Sequence, residues 1–501
     1  MPRLRRASPI GTTPSIRPTP RAIVTALAAT LAVCLAALAP YAWPGSAEAA
    51  TVSVTNATQF TDASGAVVQA HGGGMIKVGS YYYWFGENRN DNGTFKYVSV
   101  YRSTDLRTWE FRNNVLTQSS ASELAVANIE RPKVIYNAST GKYVLWAHWE
   151  NGSDYTEART AVATSSTVDG TYTYLGSSRP LGYTSRDMTV FADDDGSAYL
   201  ISATNANADL NVYKLSSDYT SVSSLVQTLW AGSYREAPAM VKRNGVYFLV
   251  TSAATGWAPN QQKYATATSV AGTWTSLANV GDGIGFGSQA AYVLPVQGTS
   301  GTSYLYLGDR WAGAWGGKVN DSEYVWLPLT FSSSTAMSMS WYPKVSIDTA
   351  TGVVAGSGSG HAFEYLKPRH SGKCLDVVSA STADGTEIEQ YTCNSGSNQQ
   401  WQVFDLGTGY YELIARNSNK CLTVPAGSTT AGTHVQQLPC TGATYQQWQI
   451  TDLGTGYSRL TARHSGMCLD VASAATTDGA RVLQYTCSGA TNQQWQRVSA
   501  P

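Results

Sequence analysis

The chain has 501 residues, too many for one ordinary domain, so two or three domains are expected. Lys and Arg together number 34, as do Asp and Glu, and this neutrality excludes the usual electrostatic basis of nucleic-acid or anionic-membrane binding. Charged residues are 14% and hydrophobic residues 43%, which excludes charge-driven disorder over most of the chain. Aromatic residues make up 11% and Gly numbers 46, which favours short strands and turns and suits sugar binding.

The first fifty residues have the pattern of an export signal. Five arginines precede an apolar run over residues 22–38, and Ala47-Glu48-Ala49 has the form of a cleavage site. We therefore predict a signal peptide over residues 1–49 and a secreted, extracellular product with no membrane partner after cleavage. An uncleaved anchor is the alternative, because the apolar run approaches the length that spans a bilayer. Arg5-Arg6 leaves a twin-arginine export route open beside the general secretory route.

Five short aromatic segments, each directly after a turn, recur between residues 50 and 352. Their markers are Tyr82, Tyr143, Tyr199, Tyr247 and Tyr304, at intervals of 61, 56, 48 and 57 residues. Further strand-like segments lie before and after each marker, so each unit contains about four strands. Five such units predict a five-bladed β-propeller over residues 50–352 of an all-β protein. A β-sandwich is the alternative, because the intervals vary.

One polar residue opens each of these units, 11 to 15 residues before its marker: His71, Glu130, Asp187, Glu236 and Gln289. The first strand of each blade lines the axis of a propeller, so these five positions are expected to converge on one pocket. Carboxyls that share a pocket supply the acid and base chemistry of glycoside hydrolysis. The alternative for each carboxylate alone is a local ion pair with the Arg beside it.

Residues 52–350 resemble glycoside hydrolase family 43, and in particular its exo-β-1,3-galactanase subgroup. The segments that carry the resemblance are His71-Gly72-Gly73-Gly74, Tyr83-Trp84-Phe85-Gly86-Glu87-Asn88, Glu130-Arg131-Pro132-Lys133, Arg235-Glu236-Ala237-Pro238 and Gly308-Asp309-Arg310-Trp311. The resemblance implies a five-bladed propeller that releases galactose from the β-1,3-galactan backbone of arabinogalactans by an inverting mechanism. An α-L-arabinofuranosidase or β-xylosidase on the same fold is one alternative, and a non-catalytic polysaccharide-binding protein is another.

The same resemblance implies a role for four carboxylates. By position, Glu236 is the general acid, and Asp187 orients it and tunes its pKa. Glu87 and Glu130 are expected to bind sugar hydroxyls.

The sequence offers two candidates for the general base. Most of the family has an Asp on the first blade, where this chain offers Gln69 and His71, and the subgroup lacks that Asp too. Gln289 is the candidate that positions the attacking water, and Glu130 is the second candidate. In an inverting enzyme the acid and base are expected about 6.5–9.5 Å apart.

No cofactor or metal is expected. The His71-Gly72-Gly73-Gly74 segment is similar to an esterase oxyanion loop, but the chain has no G-x-S-x-G nucleophile motif. Asp193-Asp194-Asp195-Gly196 is better read as a hairpin turn than as a calcium loop, because the ligand spacing of an EF-hand is missing. His148, between two Trp residues, either lines a sugar site or packs in the core.

Residues 353–361 are rich in Gly and Ser and predict a flexible linker. From residue 362 the chain is a threefold repeat with a period of 47 residues, and each repeat ends in Gln-Gln-Trp. Each repeat has two cysteines 19 residues apart: Cys374 and Cys393, Cys421 and Cys440, Cys468 and Cys487. An even number of cysteines in an exported chain indicates disulfides, and pairing within each repeat is the simplest of the fifteen arrangements. Metal ligation is the alternative, although the chain has no C-x-x-C pair.

Residues 362–501 resemble the ricin B-type β-trefoil, carbohydrate-binding module family 13. In that family an Asp accepts hydrogen bonds from the sugar, an aromatic ring stacks on it and an Asn adds polar contacts. Repeat one keeps Asp376, Tyr391 and Asn398, and repeat three keeps Asp470, Tyr485 and Asn492. Repeat two has Thr423, Leu438 and Tyr445 at those places. The resemblance therefore implies two lectin sites. We expect a monomer whose partner is a polysaccharide such as β-1,3-galactan or arabinogalactan.

Overall fold

The computed structural model describes residues 51–500 apart from 358–362, 406–408, 419, 439 and 441–442. The predicted signal peptide (1–49) and residues 358–361 of the predicted linker lie outside the described residues. Within the described part, helices are limited to single 3-10 turns, and none is long and apolar enough to cross a membrane. These turns are Ser122–Leu124, Pro180–Gly182, Gly285–Gly287, Ala312–Trp315, Val319–Asp321, Val378–Ala380, Ser397–Gln399, Pro425–Gly427, Thr444–Gln446, Ala472–Ala474 and Thr491–Gln493.

After a first strand, β1 (Val52–Thr55), twenty strands form five antiparallel sheets of four consecutive strands each. Sheet 1 consists of β2 (His71–Val78), β3 (Tyr81–Arg89), β4 (Phe95–Ser103) and β5 (Glu110–Thr117). Sheet 2 consists of β6 (Asn128–Asn137), β7 (Lys142–Glu150), β8 (Arg159–Ser165) and β9 (Thr173–Ser178). Sheet 3 consists of β10 (Met188–Ala192), β11 (Ala198–Thr204), β12 (Asp209–Leu215) and β13 (Val222–Leu229). Sheet 4 consists of β14 (Arg235–Arg243), β15 (Val246–Ala253), β16 (Lys263–Ala267) and β17 (Ala278–Asn279). Sheet 5 consists of β18 (Gln289–Gly298), β19 (Gly301–Arg310), β20 (Glu323–Phe331) and β21 (Met337–Met339).

The five sheets form a closed ring around one axis. Each first strand contacts the first strand of the next sheet, and β18 of sheet 5 contacts β2 of sheet 1. A hydrophobic core lies between each pair of neighbouring sheets. Between sheets 5 and 1, for example, Trp84 lies with its ring centroid 5.1 Å from that of Trp326. The middle strands are apolar on both faces because each sheet packs between two others.

Four of the five first strands are irregular near the axis, with register shifts that follow His71, Glu130, Glu236 and Ala290. A β-bulge bends its strand and redirects the side chains beside it, and bulges are common next to active sites. These register shifts occur next to the polar residues with which the units begin. They therefore determine the direction in which those side chains point.

The consecutive glycines after His71 permit a close approach of strands at the axis. A Cβ on Gly73 would lie 1.7 Å from the carbonyl oxygen of Phe85, and one on Gly74 would lie 2.5 Å from Cδ of Lys133. The segment is thus explained by packing within sheet 1 and against sheet 2.

A separate three-stranded sheet closes this part of the chain. It contains β1, β22 (Lys344–Asp348) and β23 (Val353–Ser357), with β22 in the middle. The predicted start of the flexible linker at residue 353 is therefore wrong. Residues 353–357 pair with β22 because Val353, Val354 and Ala355 form a strand-like apolar run before the Gly and Ser residues begin.

The last third of the described chain is a twelve-stranded sheet with internal threefold repetition. Its strands are β24 (Glu364–Pro368), β25 (Cys374–Val377), β26 (Thr386–Tyr391), β27 (Trp401–Asp405), β28 (Tyr411–Ala415), β29 (Cys421–Thr423), β30 (Gln436–Leu438), β31 (Gln447–Asp452), β32 (Ser458–Ala462), β33 (Cys468–Val471), β34 (Ala480–Tyr485) and β35 (Trp495–Ser499). The three Trp residues of the Gln-Gln-Trp segments are fully buried in a shared core. The predicted pairing of cysteines within each repeat is confirmed.

Candidate active site

Five of the predicted residues, one from each sheet, line a single cavity of about 520 Å³ at one end of the axis. These are Glu87 on β3, Glu130 on β6, Asp187 directly before β10, Glu236 on β14 and Gln289 at the start of β18. The expected convergence is therefore present, with Glu87 rather than His71 contributed by sheet 1. A cavity of this size is in the range of small-ligand sites.

Glu236 is the carboxyl best suited to carry a proton. Burial and then the negative charge of Asp187 raise its pKa to about 8. Its Oε1 accepts from Nε2 of Gln289 at 2.9 Å, and its Oε2 accepts from Nδ2 of Asn207 at 2.9 Å. Turning the Asn207 amide end for end would place Oδ1 opposite the carboxyl, where a protonated Glu236 can donate to it.

Arg131 holds two of the predicted residues together, although the sequence assigned it no role beyond a local ion pair. Its Nη2 lies 3.0 Å from Oδ2 of Asp187 and donates to Oε1 of Gln289. Its Nη1 donates to the carbonyl oxygen of Ala290 at 2.7 Å. The guanidinium also lies 5.5 Å from the ring centroid of Trp311. One buried cation therefore links sheets 2, 3 and 5.

Gln289 is held as an ordinary amide by four hydrogen bonds. Its Oε1 accepts from Arg131 and, at 2.8 Å, from the indole of Trp311. Its Nε2 donates to Glu236 and to Oγ of Ser252, each at 2.9 Å. The Gln289 amide and the Glu236 carboxyl are thus in direct contact, and the separation of about 6.5–9.5 Å expected between acid and base is not found for this pair.

The floor of the cavity is a buried network of charges around Arg89. Its Nη2 lies 2.6 Å from Oε2 of Glu87 and 2.9 Å from Oε1 of Glu130. Burial raises the pKa of Glu87. The charge of Arg89 lowers this pKa in part, and the charge of Glu130 raises it further. For Glu130, the charge of Arg89 and the hydrogen bond from His148 outweigh burial and hold the pKa far below its usual range. Glu130 therefore stays ionised and is a weak proton acceptor.

His148 lines the cavity, but both of its ring nitrogens are engaged by carboxylates. Its Nδ1 lies 3.1 Å from Glu130 and its Nε2 lies 2.9 Å from Glu150. Burial lowers its pKa, but the two carboxylates outweigh this effect and raise the pKa to about 9. The imidazole is therefore a cation at neutral pH that balances the charge of Glu130.

Three bulges are fixed by carboxylates of the neighbouring sheet. The backbone N–H of Arg131, whose φ is 55°, donates to Glu87 at 2.8 Å. In the same way Ala237, with φ of 50°, donates to Asp187 at 3.2 Å. Both carboxylates therefore orient a neighbouring strand in addition to facing the cavity.

His71 belongs to the third of these contacts and does not line the cavity. The N–H of Gly72 donates to Oδ2 of Asp309 at 2.9 Å, and Nδ1 of His71 lies 3.0 Å from Oδ1. The imidazole stacks on Tyr324 with ring centroids 4.7 Å apart. Asp309 thus joins sheet 5 to sheet 1, a role that its motif in the sequence did not reveal. Gln69 donates to the carbonyl oxygen of Asn320 and takes no part in the site.

A metal ion is poorly suited to this cavity. Glu130, His148 and Asp187 lie close enough to share one. However, Glu130 and His148 are hydrogen-bonded to each other, and the guanidinium of Arg131 forms an ion pair with Asp187. Among the described residues, His148 therefore balances the charge of Glu130, and Arg131 balances that of Asp187.

Repeats one and three of the C-terminal region have the same local geometry. Asp376 accepts from Asn398 at 3.0 Å and from Gln399 at 2.7 Å. Tyr391, on the paired strand β26, is 41% exposed. Burial raises the pKa of Asp376 to about 6. In repeat three, Asp470 accepts from Asn492 at 2.9 Å and from Gln493 at 2.7 Å, and Tyr485 is exposed. The first Gln of Gln-Gln-Trp, which sequence reasoning did not single out, thus orients the carboxylate.

Repeat two lacks this arrangement. Thr423 is fully buried, donates to the carbonyl oxygen of Cys421 at 2.8 Å and accepts from Gln446 at 3.0 Å. The ring of Tyr445 lies over Gly427, where an added Cβ would meet it at 3.2 Å. A Thr therefore occupies the position that a carboxylate holds in repeats one and three.

The ring of sheets, the carboxyl-lined cavity and the trefoil together define a glycoside hydrolase joined to a lectin domain. Residues 70–281 match the family model "Glycosyl hydrolases family 43", and residues 362–495 match "Ricin-type beta-trefoil lectin domain". The chain belongs to glycoside hydrolase family 43, whose fold is a β-propeller, and its C-terminal domain is a ricin B-type β-trefoil.

Solved structures of similar proteins support this family assignment. An exo-β-1,3-galactanase from Clostridium thermocellum is 48% identical, with 89% of this chain and 99% of that chain covered and a TM-score of 0.62. An exo-β-1,3-galactanase from Phanerochaete chrysosporium, solved with β-1,3-galactotriose, is 30% identical, with 79% and 92% covered and a TM-score of 0.60. A family 43 β-1,3-galactosidase solved with galactodeoxynojirimycin is 32% identical, with 58% and 99% covered and a TM-score of 0.55.

Proposed function

We propose that the chain is a secreted, monomeric exo-β-1,3-galactanase that releases galactose from the β-1,3-galactan backbone of arabinogalactans with inversion. The observation that carries the proposal is the position of Glu236, a buried carboxyl with a raised pKa, beside Asp187 in a cavity shared by all five sheets. The β-1,3-galactanases with similar structures support the choice of substrate. The five sheets are the blades of a five-bladed propeller, which their closed ring supports.

Glu236 is the general acid of this reaction. Its proton passes to the oxygen between the terminal galactose and the next sugar as the glycosidic bond breaks. Asp187 keeps that proton on Glu236 through its negative charge. Glu87 and Glu130 face the cavity as acceptors for sugar hydroxyls, and Arg89 holds both of them in place.

Gln289 holds the attacking water against the anomeric carbon, and the proton that this water loses as the new C–O bond forms passes to bulk water. Arg131 and Trp311 both donate to its oxygen and so keep it in the amide form, which is too weakly basic to remove a proton outright. Since Gln289 and Glu236 touch in the free protein, substrate must separate them before a water fits between. Substrate entry and water placement are therefore coupled.

The trefoil keeps the enzyme on its substrate through repeats one and three. Each offers an oriented carboxylate and an exposed Tyr, a combination that suits a sugar. Export through a cleaved signal peptide agrees with three disulfides in this domain, because disulfides persist in oxidising compartments.

The test is a screen of the purified protein on galactan, arabinan and xylan oligosaccharides with product identification. We expect galactose from β-1,3-galactan only, with the α-anomer appearing first by NMR. Initial β-galactose would overturn inversion, and arabinose or xylose would indicate another specificity on the same fold. Binding without any product would indicate a non-catalytic polysaccharide-binding protein.

A further inference from the structure

Tyr234 lies at the rim of the catalytic cavity in a backbone conformation that its residue type disfavours. Its φ is 49°, in the left-handed region that bulky residues rarely enter. Its side chain is 56% exposed and lines the cavity. Within the described residues its ring stacks on no other aromatic ring and its hydroxyl forms no hydrogen bond. Packing therefore does not explain the residue, and backbone strain of this kind collects at functional sites.

The backbone of Tyr234 is fixed from two sides. Its N–H donates to the carbonyl oxygen of Ala208 in sheet 3 at 3.2 Å. Its carbonyl oxygen accepts from the N–H of Ala254, directly after β15 of sheet 4, at 3.0 Å. These two backbone hydrogen bonds therefore fix the position of Tyr234, and its side chain takes part in neither of them.

Tyr234 also lies outward of the proposed acid. Glu236, two residues later, is only 8% exposed, whereas Tyr234 borders the opening of the same cavity. The terminal sugar must occupy the buried end, beside Glu87 and Glu130, which are also largely buried. The bound galactan chain therefore extends past Glu236 toward the rim, and the sugar on the leaving-group side of the scissile oxygen lies near the rim.

We propose that Tyr234 is a stacking platform for the galactosyl unit on the leaving-group side of the scissile bond. The axial 4-hydroxyl of galactose leaves an apolar patch of C–H groups on the opposite ring face, and an exposed aromatic ring packs against such a patch. This inference rests on the proposed function, because it places a galactan chain across Glu236.

The test compares wild type, Tyr234→Gly, Tyr234→Phe and the matched control Tyr183→Ala, an exposed Tyr outside the cavity. Glycine accepts a positive φ, so Tyr234→Gly removes the ring without straining the backbone and should keep the melting temperature. The substrates are β-1,3-galactotriose and β-galactosyl fluoride, whose leaving group carries no sugar. For Tyr234→Gly, kcat/KM on galactotriose should fall roughly five- to tenfold. Tyr234→Phe and Tyr183→Ala should match wild type, and all variants should match it on the fluoride.

Two results would overturn the platform. One is an equal fall on both substrates, which would mean that Tyr234 acts through the placement of Glu236. The other is an unchanged kcat/KM on galactotriose in Tyr234→Gly. Failure of the proposed function is distinguishable, because wild type would then cleave neither substrate. Calorimetry would in that case still show weaker galactotriose binding by Tyr234→Gly if the platform exists.

Discussion

The side-chain ammonium of Lys133 lies 2.6 Å from the carbonyl oxygen of Gly72 and 3.3 Å from that of Arg131. It thereby joins the bulges of sheets 1 and 2. Burial, and then the charge of Arg131, lower the pKa of Lys133 to about 7. The amine is therefore a donor that positions Arg131, the residue that in turn holds Asp187 and Gln289.

Replacing Lys133 with Met removes this donor and keeps most of the buried volume. Two buried carbonyls lose a partner, so the free energy of unfolding should fall by about 2–4 kcal/mol. Because Arg131 loses its support, kcat should fall more than KM rises. Denaturant unfolding and steady-state kinetics on galactotriose measure both effects. Lys242→Met, on β14 but away from the cavity, is the matched control, and an equal loss of kcat there would contradict a positioning role.

Glu236→Gln removes the proposed acid with little change in shape. We expect kcat on galactan oligosaccharides to fall by several orders of magnitude, and much less on aryl galactosides, whose leaving groups need little protonation. The acid works when protonated, so wild-type activity should decline as pH rises through about 8, the pKa of Glu236. That decline should be absent from the residual activity of the variant. Near-normal galactan hydrolysis by Glu236→Gln would remove the residue from this role.

Gln289→Ala tests the placement of the attacking water. Turnover should be lost while galactotriose binding stays largely intact, since Glu87, Glu130 and Arg89 still form the floor. Calorimetry gives the affinity and single-turnover kinetics give the rate. Full activity in Gln289→Ala would move the water-binding role to another group, and Glu130→Gln, measured in parallel, shows whether Glu130 takes it.

The two lectin repeats should share the work of retention on galactan. A hydrogen bond to a charged partner contributes about 1.5–3 kcal/mol, so Asp376→Ala or Asp470→Ala should weaken its own site roughly tenfold or more. Avidity between two sites should hide part of each single loss. The double variant should no longer be retained on a galactan column. Thr423→Ala is the control in repeat two, and its release from the column, or retention of the double variant, would show that the sites are misassigned.

The residues that line the cavity could be predicted because the repeat itself positions them. Glu130, Asp187, Glu236 and Gln289 each open a unit, and a ring of similar sheets brings such positions to one axis. The repeated Cys spacing likewise predicted the three disulfides. Here periodicity carries long-range information without any knowledge of the contacts.

The direction of individual side chains could not be predicted in this way. Arg131 reaches Gln289 because a bulge gives it a φ of 55°, and no local pattern signals that conformation at an Arg. His71 was expected in the pocket, but its bulge turns it toward Asp309. The strand formed by residues 353–357 was missed because the Gly and Ser content of residues 353–361 predicted a linker, and the pairing with β22 is not visible in the local sequence.

The pairing of β1 with β22 has a consequence for the order of folding. It places Val52 opposite Ile347, so the loop that it closes contains all five sheets. Closing so long a loop has a large entropic cost, and contacts of this sequence separation slow folding. Each sheet, by contrast, joins neighbours along the chain and can form locally. The ring is therefore expected to assemble sheet by sheet, with the pairing of β1 with β22 as the late and slow event.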